Sequence, residues 1–118
     1  TGGIDTYGGS LTPTTTDISD SHITGGTGLS GILASSSVTG AARVAVTRST
    51  VSNSHYGIYS YGAGGGSSTI SVSETTVTGN DIGLLNFGAT GTLRTAGNNA
   101  VAGNGVSTSG TITATPTM

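Results

Sequence analysis

Apolar residues recur along this chain in short alternating runs, set at nearly constant distances from one another. The two clearest runs are "VAVTRSTVSNSHYGIYS" at 44–60 and "ISVSETTVTGNDIGLLN" at 70–86. Laid over each other, they bring Val44 onto Ile70, Val46 onto Val72, Val51 onto Val77, and Gly57-Ile58 onto Gly83-Leu84. The frame extends upstream, where Ile18 and Ile23 match Val46 and Val51. It extends downstream as well, where Val101 and Asn104 match Val77 and Asn80. Four copies thus begin near residues 16, 44, 70 and 94.

Short strand-like runs repeating at this near-constant period, with Gly-rich joints, predict a solenoid with one coil per repeat. Within a coil, alternation turns Val44 and Val46 to one face and Thr47 to the other, as a half-buried strand requires. The turn signals "TGG", "SNS", "TGN" and "AGN" follow the central Ile or Val each time. Gly and Asn in such clusters supply the positive-φ corners that redirect the chain. A second short strand follows, "GIYSY" or "GLLNF", and then a variable loop, "ASSSVTGAA", "GAGGGSS" or "GATG". Ile32 to Val44 and Ile58 to Ile70 are equal spans, whereas Leu84 to Leu93 is shorter, so the last coil is trimmed in its loop.

Asp20, Arg48, Glu74 and Asn98 fall at one position of four successive coils. Stacked, they form an inter-coil ladder of acid, base, acid and amide. Unlike charges facing each other on neighbouring strands contribute roughly 0.2–1 kcal/mol, so this ladder is read as setting register.

Composition narrows the functional classes. Gly, Thr and Ser number 22, 23 and 17 of 118 residues, and charged residues are 7%. With regularly placed Val, Ile and Leu, that bias fits an all-β chain better than disorder, which combines low hydrophobicity with high charge. A net charge of −2, with no Lys, offers no basic field for nucleic acid. No apolar run approaches the roughly 20 residues of a membrane-spanning helix, so membrane insertion is not expected. The first residues show no signal-peptide pattern and no initiator Met, which reads as a processed product or a fragment. Zero Cys fits an extracellular and a cytosolic protein equally well.

Candidate chemistry is sparse. Asp17 and Asp20 are the one local carboxylate pair, and at that spacing on a strand they point to opposite faces. Asp20 and Glu74 would lie two rungs apart with Arg48 between them, a poor acid and base pair. His22 matches Thr50 and Thr76 in the repeat, and His55 follows a turn. Neither has the company of further N or S ligands that zinc requires. "GAGGGSS" at 62–68 lacks the Lys and helix of a phosphate loop. No metal, cofactor or catalytic residue is expected from these residues. Tyr56, Tyr59 and Tyr61 cluster, with Tyr59 and Tyr61 on one side by alternation, and are the candidate glycan contacts.

The run "VSETTVTGNDIGLLNFGATGTLRTAGNNAVAGN", with Gly-Asn-Asn at 97–99 and Gly-Asn at 103–104, resembles the C-terminal coils of bacterial right-handed parallel β-helix repeat proteins, the pectate-lyase-like group. The resemblance covers about residues 16–106. It implies a secreted, right-handed parallel β-helix of about four coils, in a fold that hosts lyases, hydrolases, adhesins and inert fibres. Residues 1–15 then form a lead-in or joining strand and 107–118 a Thr-rich C-terminal segment. Neither end carries a helical cap, and solenoids normally cap their ends. The expected function is therefore an extracellular structural unit stacking head-to-tail into a fibre or surface layer. The alternative is a carbohydrate-binding or adhesin-type module, with polysaccharide as partner. A lyase or hydrolase fragment is a third reading. "LTPTTT" at 11–16 and "TATPT" at 113–117 resemble O-glycosylated tracts.

Overall fold

The computed structural model describes residues 3–9 and 12–115. The remaining positions of the terminal Gly- and Thr-rich segments, Leu11 of "LTPTTT" and Pro116-Thr117 of "TATPT" included, lie outside the described residues. The chain folds as an all-β, parallel β-solenoid of about 4 turns. Among the described residues twelve strands follow in order: β1 (Ile4–Tyr7), β2 (Thr14–Ser19), β3 (His22–Ser36), β4 (Ala41–Thr47), β5 (Thr50–Gly62) and β6 (Ser67–Ser73), then β7 (Thr76–Thr78), β8 (Ile82–Phe87), β9 (Gly91–Ala96), β10 (Ala100–Val101), β11 (Val106–Ser109) and β12 (Thr113–Thr115).

One sheet runs β2-β4-β6-β9-β12 and forms the first face. The other runs β1-β3-β5-β7-β10, with β8 paired to β5 and β11 to β8. The long strands β3 and β5 turn through a second and a third face without a break, whereas later coils divide that path into β7 with β8 and β10 with β11. The second face thus holds the N-terminal parts of β3 and β5 with β7 and β10. The third holds β1, the C-terminal parts of β3 and β5, β8 and β11.

The register matches the repeat read from the sequence. Ile18, Val46 and Val72 stack in one column, and Val44, Ile70 and Leu93 in the next. Ile23, Val51, Val77 and Val101 form a third, and Ile4, Ile32, Ile58 and Leu84 a fourth. Ile32, Val51, Ile58, Ile70, Val77 and Leu93 are fully buried. Each such aliphatic chain removed from water contributes on the order of 1.5–3 kcal/mol, and the columns merge into one core. The ladder also runs past residues 16–106. β1 and the first residues of β2 precede that span, and β11 and β12 lie almost wholly beyond it.

Two features depart from the sequence reading. Asp20, Arg48 and Glu74 do not lie on a strand face but at the corner between the first and second faces, with φ of 52°, 48° and 49°. The left-handed conformation costs L-residues roughly 1–2 kcal/mol, so this corner carries a charge ladder and backbone strain together. The second difference is in the last coil. Ile70 pairs with Leu93 and Thr76 with Ala100, so the offset between partners grows by one across this stretch. One extra residue therefore enters the turn at 97–99, the Gly-Asn-Asn segment. The expected positive-φ corners are present at Gly26, Asn53, Gly79 and Gly103.

Candidate functional site

Side chains turned into the coil build hydrogen-bonded ladders from one turn to the next. Asn80 is buried, and its Oδ1 accepts from the Ser54 backbone N–H at 3.0 Å. Its Nδ2 lies 3.2 Å from the carbonyl oxygens of Val51 and Thr78 and 3.0 Å from Asn104 Oδ1, three acceptors that share its two N–H groups. Asn104 repeats the motif one coil on, accepting from Asn80 N–H at 3.0 Å and donating to Val77 O. Ser54 holds the equivalent place one coil earlier, accepting from Gly25 N–H. A second ladder lies at the charged corner. There Ser49 accepts from Ser21 N–H, and Asn99 accepts from Thr75 N–H and donates to Val72 O and Ala96 O. These groups satisfy corner amides that would otherwise be buried without partners. Their polar atoms are spent on holding the coil together.

The charged corner is solvated. Arg48 Nε donates to Asp20 Oδ1 at 2.8 Å and Nη2 to Oδ2 at 3.0 Å, a bidentate pair. Those hydrogen bonds, with the guanidinium charge, hold the Asp20 carboxyl below its ordinary range. Asp20 raises Arg48 in turn, and Glu74 adds a smaller push in the same direction. Glu74 meets the fourth member through the backbone, its N–H donating to Asn98 Oδ1 at 3.1 Å. Another close contact to a carboxylate is His55–Asp81, a hydrogen bond of 2.7 Å between Nδ1 and Oδ2. His55 and Asp81 are offset as Val51 and Val77 are and hold one ladder position, which the repeat frame implies although the turn obscures it. The pair borders a shallow cleft of about 250 Å³ with Thr27, Asn53 and Gly79. His22 Nε2 is 3.0 Å from Ser52 Oγ, on the second face.

The first face presents Thr, Ser and Ala outward, interrupted by Asp17, Arg43 and Arg94. Asp17, Ala45, Ser71 and Arg94 follow one another in a single outward column. The small residues in its middle leave a groove of about 440 Å³ between the longer ones.

The third face differs in kind. The chain has four Tyr, one Phe and no Trp, and all five aromatic residues stand outward on this face. Tyr59 and Tyr61 alternate with buried Ile58, Ser60 and Gly62, which sets both rings outside. Tyr56 joins them at the bend after the second corner. Ring contacts run continuously: His55 to Tyr56 at 4.2 Å, Tyr56 to Tyr59 at 5.2 Å, Tyr59 to Tyr61 at 6.4 Å. Tyr61 stacks on Phe87 of the next coil at 5.8 Å, with 15° between planes. Partial burial raises the Tyr59 phenol above its ordinary value, and the neighbouring Tyr56 and Tyr61 add to the shift. Leu33 and Leu85 flank Tyr59 on the adjoining coils. Tyr7 and Phe87, respectively 54% and 60% exposed, extend the patch to further coils. Neither was a candidate from clustering, yet the repeat offsets alone carry Tyr61 to Phe87 and, through Ser35, to Tyr7.

The sequence candidates therefore separate into two places. Asp20, Arg48, Glu74 and Asn98 share the charged corner, and Tyr56, Tyr59 and Tyr61 share the aromatic face. Comparison with protein-family models, curated proteins and solved structures finds no match, so what is established is the fold, a parallel β-solenoid built from a repeated coil.

Proposed function

We propose that this protein is an extracellular β-solenoid binding module, of the adhesin or carbohydrate-binding kind, whose third face receives a glycan. The observation that carries this reading is the gathering of every Tyr and Phe onto one outer face, while the first face presents mainly Thr, Ser and Ala. Aromatic rings offer apolar faces to sugar C–H groups while phenol hydroxyls bond to sugar hydroxyls, and a parallel sheet holds them in fixed positions. Exposed apolar groups collected in one patch mark interaction surfaces, whereas single exposed ones do not. Kinship with the right-handed, pectate-lyase-like β-helix proteins and a secreted location belong to the same proposal. The test is a glycan array with the wild-type protein and Tyr59→Ala. Retained glycans lost on that substitution, with the circular dichroism spectrum unchanged, support the reading. Wild-type protein that retains no glycan sinks it.

A second reading, end-to-end assembly, is supported by the topology. The described strand pairs are all parallel, so β1 and β2 at one end and β10, β11 and β12 at the other are edge strands of matching direction. Partly buried Ile4, Val101 and Ile112 bring apolar surface to those ends. Head-to-tail contacts of this kind do not close on themselves and propagate as fibres. Electron microscopy would then show filaments with a subunit rise of about 19–20 Å, four coils at strand spacing. A monomeric mass at high concentration overturns this reading.

A further inference from the structure

On the third face the outward column Tyr7, Ser35, Tyr61, Phe87 is read directly from the strand register. Three of its four members are aromatic. Tyr61 and Phe87, on adjoining coils, stack nearly parallel at 5.8 Å. Ser35 interrupts the column, and the rings of Tyr7 and Tyr61 belong to coils two rungs apart. At strand spacing that separation is about 9.6 Å, which leaves one rung without a ring. Ring pairs are favourable at centroid separations of about 4.5–7 Å, so one further ring placed midway would be in range of both neighbours. Tyr7 remains 54% exposed, as a ring with an open side should.

We infer that the gap above Ser35 is a slot for a single neutral pyranose ring, held between Tyr7 and Tyr61. This rests on the glycan reading of the third face and names the subsite. The occupant follows from the chemistry of the walls. Both walls carry an aromatic ring, Tyr61 stacked on Phe87 and Tyr7 lying against Gly9 of its own coil, and ring faces suit the axial C–H groups of a sugar. The floor offers the Ser35 hydroxyl, a donor and acceptor matched to sugar hydroxyls. Of the outward residues beside the slot, Leu33, Tyr59 and Tyr61 carry no charge and Asp5, on β1 two residues before Tyr7, is acidic, so nothing there would repay the dehydration of a uronate or a sulfated sugar and Asp5 repels it. The charged outward groups of the first face, Arg43, Arg94 and Asp17, belong to a different sheet.

The test is isothermal titration of the whole chain with cellohexaose, maltohexaose and mannohexaose, alongside hexagalacturonate as the charged counterpart. The variants are Ser35→Tyr, which fills the empty rung and continues the ring column, Tyr7→Ala, which removes an exposed wall, and Tyr59→Ala on the adjoining column. Binding of a neutral hexaose, weakened by about tenfold or more in both Ser35→Tyr and Tyr7→Ala, supports the slot. Saturation transfer between the bound sugar and the Tyr7 and Tyr61 rings supports it independently. Neutral binding lost only in Tyr59→Ala overturns the slot and leaves the glycan-binding face standing. No binding of any of the three neutral sugars overturns both. Preference for hexagalacturonate, indifferent to Ser35→Tyr, overturns the slot as a neutral site. A change of molecular mass in Ser35→Tyr without a change in sugar binding makes the occupant a second copy of this chain, and also overturns it.

Discussion

Asn80→Ala is the most informative test of how the coils hold together. In the wild-type chain the Asn80 carboxamide serves a buried amide of the coil before it, two carbonyls and the Asn104 side chain. Truncation leaves the Ser54 N–H without its acceptor in a place where Asn80 itself is only 3% exposed. A buried donor left unpaired costs about 1–3 kcal/mol, and each remaining bond lost about 1 kcal/mol. Gly57 lies directly over the amide, with an ideal Cβ position 2.9 Å from Nδ2, so the backbone is already close and relaxes little into the space. The expected loss is about 3–5 kcal/mol. A domain of this length has an unfolding entropy of about 250 cal/mol/K, so the midpoint should fall by roughly 12–20 °C. Asn104→Ala removes the equivalent group from the last coil, where the residue is half-buried and water replaces part of what is lost. Its cost should be about 1–2 kcal/mol. Thermal and urea melts followed by far-ultraviolet circular dichroism measure both, and a double-mutant cycle isolates the Asn80–Asn104 bond. A loss below about 1 kcal/mol for Asn80→Ala would refute the reasoning. Equal losses for the two variants would do the same.

Three further outcomes follow from the same geometry. Gly57→Ala should destabilise by about 3 kcal/mol, because its Cβ would sit 2.6 Å from the Gly83 carbonyl oxygen. Gly97→Ala, with nothing within 4 Å, should stay within about 0.5 kcal/mol of wild type, and urea midpoints compare the two. Glu74→Asn should raise stability by about 0.5–1 kcal/mol, since Asn accepts a φ of 49° more readily and the bond from this residue's N–H to Asn98 is backbone-borne; a lower melting midpoint counts against strain at this corner. The Asp20 carboxyl should titrate below the ordinary value of about 3.9 in nuclear magnetic resonance and return toward it in Arg48→Gln. Because the folded value is the depressed one, the stabilisation from this pair is present above the unfolded value and is lost as pH falls through the folded value.

What could be read from the sequence depended on which way a residue faces. The inward columns were legible because an apolar position in a solenoid is constrained by the coil above and the coil below. Ile32, Ile58 and Leu84 must therefore repeat, and the offsets between them give the register directly. The extra residue at 97–99 was not legible. The loop is shorter by three residues and the turn longer by one, so the net offset at Val101 does not show the addition by itself. The conformation of the charged corner was hidden for a different reason. Arg48 and Glu74 have no preference for positive φ, and hydrogen bonds between coils hold the backbone there: Arg48 N–H to Ser73 O, Glu74 N–H to Asn98, and the neighbouring Ser49–Ser21 and Asn99–Thr75 ladders. Outward positions obey neither constraint, since water accepts almost any side chain at them. On such a surface Thr, Ser and Ala are what strand propensity and solubility leave in place. An outward residue that departs from that background is the one whose identity the fold does not explain. By that measure the charged corner is half-explained, because the Asp20–Arg48 pair aligns successive coils. The aromatic column on the third face is not explained at all by the requirements of the coil. Its rings are carried by three coils, spaced by the register and broken at Ser35, and the break is the feature that a merely stabilising stack would have no reason to contain.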